Sequence, residues 1–156
     1  MEAGIKNEKS IVVTEDVTAS KVGSGLLPVY ATPSMIALME GTCAESVQSE
    51  LVEGEGTVGV SVDIKHIAAT PIGMKVRCES LLKEVNGKKL VFEVNVYDEK
   101  GLIGTGTHKR QSSTTKVIGD WHNHDHLTRA HRQVWCACLY TCTICFSEFY
   151  KIIIFI

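Results

Sequence analysis

A hydroxyl, a carboxylate and an imidazole stand in chain order at Thr32, Glu40 and His66, each in a setting where its chemistry matters. Glu40 lies within ATPSMIALMEGTCAESVQSEL, residues 31–51. At about 100° per residue, Ile36, Met39, Cys43 and Val47 gather on one side of that helix and Glu45 falls opposite. Glu40 then lands in the middle of the apolar side, where a carboxylate loses hydration and binds protons more tightly unless a cation or donor compensates. His66 continues the apolar side of an alternating segment. A carboxylate and an imidazole brought together out of water can poise each other for proton transfer near neutral pH. Thr32 adds a hydroxyl beside the positive end of the helix dipole, where an anion or oxyanion is favoured. Singly, each has a plainer reading: an acid escaping to solvent, a core histidine bonded to a carbonyl, a helix cap. Together, on converging elements, they point to a site.

The elements that must position them are legible in outline. Thr32-Pro33 starts a helix, since Thr can cap and Pro fits the first turn, and Gly54 and Gly56 close it off. Residues 1–10 read as a ragged lead-in, Ser10–Val17 as a first strand, and Ala19–Tyr30, with Gly23, Gly25 and Pro28, as a loop or short broken helix. Thr57–Ala69 alternates, with Val58, Val60, Val62 and Ile64 on one side and Gly59, Ser61, Asp63 and Lys65 on the other. Met74–Val85 and Leu90–Tyr97 are further strands joined at Asn86-Gly87, where both residues tolerate positive φ. Leu102–Gln111 is the last, and Gly104 and Gly106 allow a close approach. Strand, long helix, then four antiparallel strands with one buried face make an α+β domain whose sheet covers a single helix.

At 156 residues with a net charge of −2, the chain can build one core and has no basic surplus for nucleic acid. MEAGIKNEKS is polar, so it reads as neither a signal peptide nor a membrane span. Cys43 and Cys78 read as small core residues in a reducing compartment, and the expected localisation is cytoplasmic.

ATPSMIALMEGTC, TVGVSVDIKHIAATPIG and NGKKLVFEVNVYDEKGLIGTGTHKR together resemble the hot-dog thioesterases, in the fluoroacetyl-CoA thioesterase-like branch. The likeness runs from about Ile11 to Arg110. It rests on the spacing of Thr, Glu and His and on HxxATP and GxGTHxR following in order. It implies a hot-dog fold, an antiparallel sheet wrapped around one long central helix. It also implies hydrolysis of acyl-CoA thioesters with no metal or other cofactor, CoA being part of the substrate. The partners it implies are an acyl-CoA and a second copy, in a homodimer that could pair into a tetramer, with active sites at the subunit interface. Thr32, Glu40 and His66 become the catalytic group. Glu40 serves as nucleophile or general base, His66 assists proton transfer, and Thr32 orients Glu40 or bonds the thioester region. Gly59 and Arg110 match positions near the acyl pocket.

Two departures stand out. Members specialised for very small fluorinated acyl groups carry bulky aromatics before the helix, whereas this chain has Gly23, Gly25, Leu26 and Leu27, which argues for a short or medium acyl chain. The likeness also stops at Arg110, giving a hot-dog domain at 1–111 and an extension at 112–156. The extension holds His122, His124, His126 and His131 with Cys136, Cys138, Cys142 and Cys145. Their spacings are not those of a known zinc finger, so no metal is expected. The apolar run 134–156 is broken by Glu148 and Lys151, which argues against a membrane anchor. The extension reads as non-native sequence without function, such as translation past an altered frame. The alternative to the enzyme is a non-catalytic acyl-CoA-binding or regulatory hot-dog module, which needs the pocket but not the desolvated acid and base. A hot-dog dehydratase would need an Asp and His pair at the helix start, and none is there.

Overall fold

A computed structural model describes residues 1–114. Its strands are β1 (Lys6–Val12), β2 (Glu55–His66), β3 (Lys75–Asn86), β4 (Lys89–Tyr97) and β5 (Leu102–Thr114). They form one antiparallel sheet in the order β1-β3-β4-β5-β2, so β1 and β2 are the two edges. A four-residue helix, α1 (Ala19–Val22), precedes the 16-residue α2 (Thr32–Val47), around which the sheet curls. This is the α+β, single-helix architecture expected of a hot-dog fold.

The core is the seam between α2 and the sheet. Met35, Leu38, Met39, Cys43 and Val47 of the helix are buried against Val76, Cys78, Leu82, Leu90, Phe92, Val94 and Val96. Each large apolar side chain buried there contributes about 1.5–3 kcal/mol, which explains how a helix without a side-chain N-cap is held. The buried arc is centred on Met35, Met39, Thr42 and Cys43. Glu40 therefore stands at the edge of that arc and not at its middle, and its side chain remains 39% exposed. The wheel misplaced it because Leu38 and Thr42, on the far side, are buried as well.

Four other expectations are corrected. The first strand lies at Lys6–Val12, ahead of Ser10–Val17, and the sequence hid it because polar Asn7 and Lys9 share the inner face with Ile11. Asn7 Nδ2 donates to the Thr42 carbonyl (3.1 Å) and Lys9 pairs with Glu45, so β1 docks on α2 through hydrogen bonds. The β3–β4 turn is Gly87-Lys88, with Asn86 still paired to Lys89 in the ladder and only Gly87 taking positive φ (58°). Thr32 is the first helical residue and caps nothing, the N-cap position falling to Ala31.

The fourth correction concerns β2. Its alternation is interrupted by a bulge between Gly59 and Ser61, so Val60 drops out of the ladder and is 62% exposed. An inserted residue reverses the facing of everything before it. Val62, Ile64 and His66 follow the expected phase, but Gly59 turns inward, toward the helix. The HxR end of β5 faces the same way, because His108 and Arg110 are two apart. β5 itself continues through Thr114, which pairs with Glu55. The metal and anchor readings of the extension, and its reading as non-native sequence, concern residues outside the described ones. No helix among the described residues is long and apolar enough to cross a membrane.

Candidate active site

Two clusters lie along α2. The first is at its start. The chain entering the helix is stitched to the chain leaving β2: Tyr30 N–H donates to the Thr70 carbonyl (2.8 Å) and Val29 bridges to Pro71. Thr70 is fully buried, and its hydroxyl donates to Asp98 Oδ2 (3.0 Å), anchoring that segment to the β4–β5 turn. The ATP half of HxxATP thus aligns the two strands of chain that carry Thr32 and His66. As a result Thr32 Oγ1 and His66 Nδ1 lie 2.8 Å apart. The buried Tyr30 ring packs edge-on to the imidazole, with centroids 6.4 Å apart, and its hydroxyl donates to the Ser34 carbonyl (3.2 Å).

Burial pulls the His66 pKa below its usual value, opposed by a backbone hydrogen bond at Ala68, so the ring is neutral at pH 7 and able to accept a proton. Its Nε2 is buried with no hydrogen-bond partner among the described residues. The pair opens on a cavity of about 690 Å³ walled by Leu26, Leu27, Val29, Ile67 and Ala69. Leu26 and Leu27 are 96% and 65% exposed, two leucines held at a rim with little of their surface covered.

The second cluster is polar. Glu40 Oε1 lies 3.5 Å from His108 Nε2, and a Cβ on Gly59 would overlap that carboxylate oxygen. His108 is fully buried, with Nδ1 3.0 Å from the Ser61 carbonyl. Arg110 is only 7% exposed, so it is no solvated strand-end charge. Its Nε and Nη2 donate to Thr57 Oγ1 (2.9 Å) and Thr57 O (2.7 Å), and its Nη1 lies 3.0 Å from His108 Nε2 and 3.4 Å from the Glu40 carbonyl. Burial lowers the pKa of Arg110 from its very high ordinary value, opposed by the charge of Glu40, and leaves it a cation.

Thr32 and His66 are therefore brought together, and Glu40, Gly59 and Arg110 are brought together elsewhere. Eight residues of α2 separate the two groups, about 12 Å of helix. His108 is the polar residue that sequence reasoning passed over. The signal for it was the HxR spacing, which puts two charged or polar side chains on one face of a strand.

A five-stranded antiparallel sheet curled over one long helix is the hot-dog architecture, and solved thioesterases share it. Residues 13–112 match the model of the family described as fluoroacetyl-CoA-specific thioesterase (FlK), and the chain belongs to that family. It is 39% identical over 82 residues to the fluoroacetyl-CoA thioesterase of Streptantibioticus cattleyicolor, a match covering 53% of this chain and 59% of that relative. A crystal structure of the fluoroacetyl-CoA-specific thioesterase in complex with fluoroacetate and CoA, a variant form, superposes with a TM-score of 0.72 at 30% identity, over 76% of this chain and 99% of that one. A Thermus thermophilus hypothetical protein, a thioesterase superfamily member, gives 0.71 at 27% identity, over 87% and 96%.

Proposed function

We propose that this protein hydrolyses an acyl-CoA thioester to the free acid and CoA, with Thr32, Glu40 and His66 as the catalytic group completed across a homodimer. The observation that carries the reading is the neutral Thr32–His66 pair at the mouth of an apolar cavity, with an unsatisfied Nε2 and with Glu40 of the same chain about two turns away. Two copies placed head to tail along α2 would supply each pair with the partner's carboxylate, and β2 is an open edge able to pair with its copy.

In that site the acyl chain fills the cavity, and the thioester carbonyl lies at the start of α2, where the dipole and the Thr32 hydroxyl favour the developing oxyanion. Glu40 either takes a proton from water, which attacks the carbonyl carbon, or attacks it directly to give an anhydride that water then opens. In both routes the C–S bond breaks, and CoA leaves as thiolate and is protonated, with His66 moving the proton. Gly59 leaves room for the carboxylate, and Arg110 fixes the helix turn that carries it. No cofactor is required. The cavity, with leucines at its rim, supports a short or medium acyl chain. A single turnover in ¹⁸O-water separates the routes: direct attack by water puts ¹⁸O into the released acid, whereas an anhydride opened at the Glu40 carbonyl puts ¹⁸O into Glu40 and passes an original Glu40 oxygen to the acid.

The decisive experiment pairs a Thr32→Ala subunit with a Glu40→Gln subunit in one dimer and measures thiol release from a panel of acyl-CoAs. A site shared between subunits restores about half of wild-type activity, because one of the two sites regains all its groups. A site within one chain leaves the mixed dimer as inactive as its parents. A wild-type protein that binds acyl-CoA and releases no thiol would be the non-catalytic module.

A further inference from the structure

His108 is the most deeply buried ionisable ring of the described residues, and the proposed reaction gives it no step. Its two nitrogens face partners whose hydrogen-bonding roles are fixed. The Ser61 carbonyl at 3.0 Å can only accept, so Nδ1 must carry the hydrogen. The Arg110 guanidinium at 3.0 Å can only donate, so Nε2 must offer its lone pair. Both demands are met by one neutral tautomer and by no other state of the ring. Glu40 Oε1, 3.5 Å from the same Nε2, consequently faces a lone pair and receives no hydrogen bond from it.

We propose that His108 is a positioning residue for Glu40, a role that rests on the thioesterase reading. Held as the Nδ1–H tautomer by Ser61, it draws Arg110 against α2 and leaves the Glu40 carboxylate untied for water or thioester. Protonating Nε2 would do the reverse, since the new N–H would repel Arg110 and clamp Glu40. The charged and titratable groups facing the ring favour the neutral state as a set. Arg110 opposes protonation at close range, Glu40 favours it from farther off, and the neighbours in register on β2 and β4 are the uncharged Val62 and Phe92. Cys43, the remaining titratable neighbour of this cluster on α2, is a buried thiol whose pKa is pushed up to about 12, so it adds no charge. Burial lowers the His108 pKa, which agrees with this assignment.

The test uses the full-length protein labelled with ¹⁵N-histidine. The His108 ring, identified by its absence in His108→Gln, is expected to show a protonated Nδ1 and a bare Nε2 at pH 7. Gln places an acceptor near the old Nε2, whereas Asn keeps only a donor near the old Nδ1. His108→Gln is therefore expected to retain kcat to within about threefold, and His108→Asn to lose roughly tenfold to a hundredfold with little change in KM. A purely structural role through Ser61 would rank Asn above Gln. That ranking, or an Nε2–H ring in the wild type, overturns the proposal. If the wild type releases no thiol from any acyl-CoA, the function falls, and the ring spectrum still decides the tautomer. Should one variant fail to fold, the absence of the ring signal in the other identifies His108, and the spectrum still decides the tautomer.

Discussion

The two clusters on α2 are built on opposite principles. At the helix start, one hydrogen bond joins Thr32 to His66, an apolar cavity surrounds them, and a buried ring nitrogen is left without a partner. Two turns on, Glu40 stands among His108, Arg110, Thr57 and Ser61, where the basic groups are held by several bonds each. The first cluster is underdetermined and open to a ligand. The second is overdetermined in its basic groups, whose bonds hold His108 and Arg110 around a carboxylate that is itself left untied. A hydrolase needs both conditions, a yielding apolar site for the acyl group and a rigid polar one for the charge. Here one chain keeps them apart, and the proposed homodimer is what would join them.

Removing the charge from the rigid cluster breaks the comparison most severely. Glu40→Gln keeps the volume and loses the ionisable group, so kcat/KM for acyl-CoA is expected to fall about 10³-fold or more with the melting temperature nearly unchanged. Near wild-type turnover by the purified variant would remove Glu40 from both the nucleophile and the base roles. On the yielding side, His66→Ala should lower turnover roughly 100-fold while costing little stability, because it also removes a buried nitrogen that lacked a partner. A variant that unfolds readily but retains full activity in its folded fraction would make His66 structural.

Gly59→Ala sharpens the contrast by touching one cluster alone. The added methyl overlaps Glu40 Oε1, which is the movable end of a flexible side chain. The carboxylate is therefore expected to shift while the fold holds, lowering kcat about tenfold, a smaller loss than deleting the acid. A crystal structure showing an unmoved carboxylate would contradict that account. A change in pH tests both clusters at once. Burial keeps His66 and His108 below the ordinary value of 6.5, so the unfolded chain takes up protons first as pH falls. Stability is then complete above about 6.5 and declines below it until the folded rings titrate. For the fully buried His108 the slope reaches up to about 1.4 kcal/mol per pH unit. Denaturant titrations at pH 7 and pH 5 should show a smaller difference for His108→Gln than for the wild type. The smallest effect belongs to the rim. Leu26 is 96% exposed, so Leu26→Ser should alter stability by no more than about 0.5 kcal/mol, while selectively raising KM for the longer acyl groups. Equal KM changes across the panel would take Leu26 out of the acyl path.

Much of this was written in the local pattern. The 3.6-residue spacing of Ile36, Met39, Cys43 and Val47, the alternation of Leu90, Phe92, Val94 and Val96, and the turn signal at Asn86-Gly87 sufficed for one helix against an antiparallel sheet. These features depend only on neighbours in sequence, and burial followed them closely. The chemistry-bearing trio was also visible, because a polar residue among apolar ones is conspicuous at any distance. Tertiary structure decided which of them meet. Thr32 turned from cap to partner of His66 because Tyr30–Thr70 pairing brought two distant segments side by side. Gly59 faced Glu40 because one bulged residue, Val60, reversed the strand's phase, an insertion that alternation cannot register. Asn7 and Lys9 made a strand out of a polar lead-in because α2 supplied a carbonyl and a carboxylate for them. His108 gained its tautomer only when Ser61 and Arg110 arrived from either side. Periodicity records which face is apolar, but the partners of a polar group are set by packing between residues far apart in the chain, and no local pattern encodes that.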